Sequence, residues 1–294
     1  LYAVQKKAVQ LTFHRCDGST WQKTTLAKGS SYSLPGVRDA EGYTFMGWST
    51  KPMQSVSPQY EAEEKITVNG NVDLYAVVFN RTTETDLTED QLPQVDIYKY
   101  KQVIFVGDSR TEFMENVLTG MGESATKNVK FVCSAGKGLD WFTTTGWAQL
   151  YSIVQHDSNS ILSKKTAVIF NFGVNDLSKS ADYAEYYNWI APQLKSKGCE
   201  LYFMSVNPVN RLMLPNAGRA DRSEAAVRSF NQYMKANLSS AYTYIDMYSY
   251  LKSTGYSFAS DHYGTGTVDD GLHYTTRTYK RIFAKCMDSL RVPA

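Results

Sequence analysis

The pattern of apolar and polar positions changes character along the chain. From residue 8 to 80, short alternating segments such as Val9-Gln10-Leu11-Thr12-Phe13 are separated by turn formers at Asp17-Gly18, Pro35-Gly36 and Asn69-Gly70. This grammar predicts a small, mostly β domain. Residues 81–97 turn polar and acidic, carry Pro93 and show no period, as expected of a linker. From residue 98 to 294, apolar runs at Val103–Val106, Phe131–Cys133, Ala167–Phe172, Leu201–Val206 and Tyr242–Ile245 alternate with helical stretches. That alternation argues for an α/β domain whose parallel sheet has helices on both faces. Tyr183, Tyr186, Tyr187, Ile190 and Leu194 form one helical stripe, ending before Gly198. Tyr279, Ile282, Phe283, Cys286 and Leu290 form another. Residues 1 to 4 read LYAV, and the same four letters return at Leu74 to Val77, so residues 1–7 are expected to be the tail of an upstream repeat.

Composition narrows the partners. The 294 residues suit two domains, and the net charge of +2, with no clustered basic stripe, argues against nucleic acid. No apolar stretch approaches the roughly 18 residues of a membrane span. Cys16, Cys133, Cys199 and Cys286 are scattered without a CxxC pair, which predicts four unpaired, buried cysteines and no metal site. No cofactor is expected: Gly136-Lys137-Gly138 lacks the third glycine of a dinucleotide fingerprint, and no GxxxxGK[ST] run occurs.

Chemistry in an open α/β sheet collects on the loops after the strands, and four blocks stand there. Val106-Gly107-Asp108-Ser109-Arg110 presents a serine before a helix expected over about Glu112 to Thr119. Taken alone it is equally a turn with an N-cap. Gly136-Lys137-Gly138-Leu139-Asp140 offers backbone amide donors. Asn171-Phe172-Gly173-Val174-Asn175-Asp176 puts an amide at the sheet edge, or simply forms an Asx turn. In Asp270-Gly271-Leu272-His273, a carboxylate three residues ahead of an imidazole can accept its Nδ1 proton and leave Nε2 as a base.

In this order the four blocks resemble the SGNH hydrolase superfamily, with Ser109, Gly138, Asn175 and His273 at the four named positions. The resemblance covers residues 98 to 292 and implies a three-layer, flavodoxin-like fold with a mostly parallel five-stranded sheet. It also implies a serine esterase without a cofactor, in which Ser109 is the nucleophile, His273 the base and Asp270 its partner. The oxyanion donors would be Ser109, Gly138 and Asn175, with Gly136 the alternative to Gly138. The first block departs from the commoner GDSL by reading GDSR. Gly42-Tyr43-Thr44-Phe45-Met46-Gly47-Trp48, with Asp73 to Val77, resembles the Listeria-Bacteroides repeat, a β-grasp-like module of bacterial surface proteins. Within it, Tyr43 and Trp48 are expected to fill a core.

Around the site, Asp108 and Asp176 are read as caps of backbone amides. Arg110 either pairs with them as scaffold or meets an anionic part of the substrate. Trp141, Trp147, Tyr263 and Tyr274 are candidates for stacking on sugar rings. His262 has Ala259 where an acid would be needed, and His14 and His156 have no partner pattern. The expectation is a secreted or cell-surface, monomeric esterase of a Gram-positive bacterium, acting on short O-acyl groups, foremost O-acetyl esters, of carbohydrate or cell-wall glycan. An O-acetyltransferase, a lipase or lysophospholipase, and a catalytically silent glycan-binding adhesin are the alternatives.

Overall fold

The structure is a computed structural model describing residues 7–96, 99–156, 165–214, 222–258 and 270–290. The first LYAV copy, His262 and Tyr263 lie outside the described residues, as does the side chain of His156.

The amino-terminal part builds β1 (Ala8–His14), β2 (Thr20–Ala27), β3 (Ser30–Ser33), β4 (Tyr43–Ser49), β5 (Lys65–Val68) and β6 (Val72–Asn80). Four of them form one sheet in the order β2-β1-β6-β4, and β3 pairs with β5. β1 runs parallel to β6 and antiparallel to β2, so first and last strands meet at the centre, as in a β-grasp. Alternation along β1 turns Val9, Leu11 and Phe13 inward onto Trp48 and Leu74. Trp48 is fully buried and donates its indole N–H to the Pro35 carbonyl at 2.8 Å. Tyr43 departs from expectation. As the first residue of β4 it projects outward and is 43% exposed.

The second part runs β7 (Tyr100–Gly107), α1 (Ser109–Met121), β8 (Val129–Cys133), α2 (Leu139–Trp141), α3 (Trp147–His156), β9 (Lys165–Asn171), α4 (Ser180–Ser196), β10 (Cys199–Met204), α5 (Glu224–Asn237), β11 (Tyr242–Ile245), α6 (Met247–Thr254) and α7 (Thr276–Ser289). The five strands are all parallel, in the flavodoxin-like order β8-β7-β9-β10-β11. Alternate residues of each strand serve opposite faces. Ile104, Val106, Val168, Phe170 and Phe203 pack under α3, α4 and α5. Val103, Phe105, Ile169 and Met204 pack under α1, α6 and α7. Each fully buried Phe contributes about 1.5–3 kcal/mol, so the two apolar layers dominate the stability of this part.

Residues 81–96, within the stretch expected to be a linker, are packed against both parts. Leu92 and Val95 are buried in the same core as Phe105, together with Met46, Val77 and Phe79 of the β domain. The buried Glu84 carboxylate accepts from Ser257 Oγ at 2.6 Å and from Arg281 Nη1 at 3.1 Å. Lys252 Nζ donates to the Met46 carbonyl at 2.8 Å and stands 2.9 Å from Glu61 and 2.7 Å from Glu224. The β domain is therefore docked on the α/β domain through a shared apolar core and a buried ion cluster. Polar composition pointed to a linker; distant partners for its few apolar residues and one acid make it a packed one. Cys199 and Cys286 are buried as expected, whereas Cys16 is exposed and Cys133 half-buried, contrary to expectation.

Candidate active site

The chain leaves β7 toward β8 and leaves β9 toward β10, on opposite sides of the sheet. Such a reversal opens a crevice at the carboxyl ends of the two strands. Gly107 closes β7 opposite Asn171 of β9. A Cβ on Gly107 would stand 2.0 Å from Thr111 Oγ1 and 2.9 Å from the Asn171 carbonyl, so only glycine lets the first turn of α1 fold this close to the sheet. The helix starts at Ser109, three residues earlier than expected, because Asp108 caps it by accepting from the Arg110 N–H at 3.0 Å. Burial lifts the Asp108 carboxyl to about 6, although the Arg110 and Arg222 charges pull it down.

The Ser109 hydroxyl lies 2.9 Å from His273 Nε2, and His273 Nδ1 lies 2.6 Å from Asp270 Oδ2. Asp270 Oδ1 accepts the main-chain N–H groups of Leu272 at 2.9 Å and His273 at 2.8 Å. Burial alone would raise the Asp270 carboxyl, but these bonds and the imidazole hold it below the usual carboxylate range. An ionised carboxylate only accepts, so the ring proton sits on Nδ1 and Nε2 accepts from the serine. The Phe113 ring packs on the imidazole with centroids 4.2 Å apart.

Gly138 is the N-cap of α2, and a Cβ there would stand 2.4 Å from Asp176 Oδ2. That carboxylate accepts from the Leu139 N–H at 2.9 Å and from the Tyr183 hydroxyl at 2.7 Å, so it organises the glycine loop. Burial raises its carboxyl despite those two donors. Asn175 donates one Nδ2 hydrogen to the Lys137 carbonyl at 2.7 Å and accepts Arg222 Nη2 on Oδ1 at 2.5 Å. The amide is thereby fixed in orientation, and among the described residues its second Nδ2 hydrogen meets no acceptor. Arg222 was not foreseen, because it follows β10 in a loop with no motif around it.

Arg110 and Tyr274 do not line a surface. The guanidinium of Arg110, 2% exposed, donates to the carbonyls of Leu272 at 3.0 Å, Asn207 at 3.0 Å and Pro208 at 2.9 Å. It is a clamp on two loops, which take three of its five N–H donors. Tyr274 is buried, stacks on Phe258 and donates its hydroxyl to the Pro208 carbonyl at 2.5 Å. Trp141 packs against Phe172 and Trp147 against Tyr151, both at the edge of the core. Among the described residues, no group of three His, Cys, Asp or Glu side chains is placed to hold a metal ion, and no helix is long and apolar enough to cross a membrane.

Residues 103–286, well over half of the chain, match the profile described as GDSL-like Lipase/Acylhydrolase. The chain belongs to this family. The GDSL-like acylhydrolase is therefore an enzyme of ester hydrolysis, and its residues 10–77 match the Listeria-Bacteroides repeat domain. No curated relative matches it. Among solved structures, a chain named as an SGNH hydrolase from Slackia heliotrinireducens is similar at 12% identity and TM-score 0.44, covering 66% of this chain and 100% of its own. An acetyl xylan esterase is similar at 12% identity and TM-score 0.43, covering 65% and 100%. The catalytic domain of peptidoglycan O-acetyltransferase A from Streptococcus pneumoniae is similar at 16% identity and TM-score 0.37, covering 65% and 92%. At these scores the likenesses carry no argument about substrate.

Proposed function

We propose that the GDSL-like acylhydrolase cleaves short-chain acyl esters, foremost O-acetyl groups of carbohydrate or cell-wall glycan, through an acyl-enzyme on Ser109. One observation carries the reading: the unbroken line from the Ser109 hydroxyl through His273 to the ionised Asp270. His273 Nε2 takes the Ser109 proton as Oγ attacks the ester carbonyl, and Asp270 balances the imidazolium that forms. The oxyanion is held by the N–H groups of Ser109 and Gly138 and the remaining Nδ2 hydrogen of Asn175, each donor contributing about 3 kcal/mol. The imidazolium then protonates the departing alcohol. A water molecule, deprotonated by the same nitrogen, releases the acid and restores the serine.

The glycan preference rests on the amino-terminal repeat, a module of bacterial surface proteins, which would present the site at the surface of a Gram-positive cell. The assay set is acetylated xylan, acetylated peptidoglycan and nitrophenyl esters of increasing chain length, each with and without a free glycan acceptor. Acetate release abolished by Ser109→Ala is expected, together with fluorophosphonate labelling of the wild type alone. Preference for long chains would overturn the acetyl reading, and transfer to the acceptor in place of water would make the enzyme a transferase. A folded wild type that never labels would end the esterase reading.

A further inference from the structure

We infer that the amino-terminal repeat is part of the catalytic frame, acting through Asn210, whose side chain is held by Asp39 of the repeat and whose backbone holds the loop carrying Asp270 and His273. The inference rests on the esterase reading above and goes beyond it, because it makes two domains one catalytic unit.

The contacts form a short line. Asn210 donates its backbone N–H to the Gly271 carbonyl at 2.8 Å, inside the Asp270–His273 turn. Gly271 has φ +64°, and a Cβ there would stand 2.3 Å from the Asn210 carbonyl, so the two backbones touch. The Asn210 side chain crosses to the repeat, donating Nδ2 to Asp39 Oδ1 at 2.8 Å and to the Val37 carbonyl at 3.0 Å. Asp39 is itself fixed: its other oxygen takes Arg81 Nη2 at 2.7 Å, and Oδ1 also takes the Phe45 N–H at 2.9 Å. Arg211, next in the chain, pairs with Glu63 of the repeat at 3.1 Å.

The acid–base turn is thus held from two sides. Arg110 grips the Leu272 carbonyl from within the α/β domain. Asn210 grips the adjacent Gly271 carbonyl and is anchored on the repeat. A hydrogen-bonded turn with one of its ties loosened samples more orientations of the imidazole, and proton transfer to Ser109 is sensitive to such displacements. An amide suits position 210, since it donates to a carboxylate and a carbonyl while accepting the Leu212 N–H at 3.2 Å. A carboxylate there would face Asp39 with like charge.

The test uses the full chain with Asn210→Ala, Asn210→Asp, Asp39→Ala and the Asn210→Ala/Asp39→Ala pair. Turnover of a short-chain nitrophenyl ester and backbone hydrogen exchange over residues 270–275 are both read. Each alanine variant is expected to lower kcat about tenfold with KM within about twofold. The double variant should be no slower than the slower single, since both cut one line. Asn210→Asp, the same shape with the wrong charge, should be slower than Asn210→Ala; a role in packing alone predicts the reverse. Exchange at 270–275 should quicken in every variant. Unchanged kcat and exchange, or losses that multiply in the double variant, would overturn the inference. If the wild type neither turns over esters nor labels at Ser109, the esterase reading falls by itself, and exchange alone decides whether Asn210 anchors the turn.

Discussion

Asp270 holds His273 at two points, through the ring Nδ1 at 2.6 Å and through the main-chain N–H at 2.8 Å. One carboxylate therefore fixes both the tautomer of the imidazole and the turn that carries it, a double use made possible by the three-residue spacing.

Asp270→Asn keeps the shape and removes the charge. The amide then donates to Nδ1, the ring proton moves to Nε2, and Nε2 can no longer accept from Ser109. A fall in kcat of about 10⁴ is expected, with the fold intact by circular dichroism. A loss below tenfold on a short-chain ester would remove Asp270 from the proposed mechanism.

Gly138 and Gly136 separate by substitution. A methyl group at 138 runs into Asp176, whereas position 136 has open space around it and only its φ of +70° to strain. Gly138→Ala is expected to cost about 10²–10³ in kcat, the size of one lost oxyanion donor. Gly136→Ala should show mainly a lowered melting temperature. Steady-state kinetics with parallel melting curves read the two apart, and the opposite order would make Gly136 the donor.

The buried Asp108 makes stability depend on pH. Its carboxyl is raised from the ordinary 3.8 to about 6, so the folded state binds the proton more tightly than the unfolded one. That contribution is complete below about pH 4 and is lost as the pH rises through 6. Asp108→Asn, neutral throughout and still able to cap α1, should therefore gain on the wild type between pH 4 and pH 7. Urea melts at the two values measure this, and a constant difference would place the Asp108 proton elsewhere.

Lys252 is buried between Glu61 and Glu224. Burial alone would lower its ammonium, yet the two carboxylates raise it, so it is charged inside the domain interface. Lys252→Met leaves Glu224 buried without its cation, and a loss of about 3–5 kcal/mol in unfolding free energy is expected. Adding Glu224→Gln should return part of it. A Lys252→Met protein as stable as wild type would show that the cluster does not hold the domains together.

The primary sequence by itself determined the five strands of the parallel sheet and the helices α1, α4 and α7, because a continuous apolar run and a helical stripe are local patterns. It also determined the four chemical blocks, since a cap, a turn glycine and a DxxH spacing each act within a few residues. Tertiary structure decided what meets across long separations. Ser109 and His273 touch over 164 positions, and Arg110, 2% exposed, donates to carbonyls 162, 97 and 98 positions away. The strap at 81–96 and the docking of the repeat were hidden for the same reason. A local pattern states how polar a residue is, while its partner is chosen by packing, and the free energy of an ion such as Glu84 or Lys252 depends on that partner far more than on its neighbours in the chain.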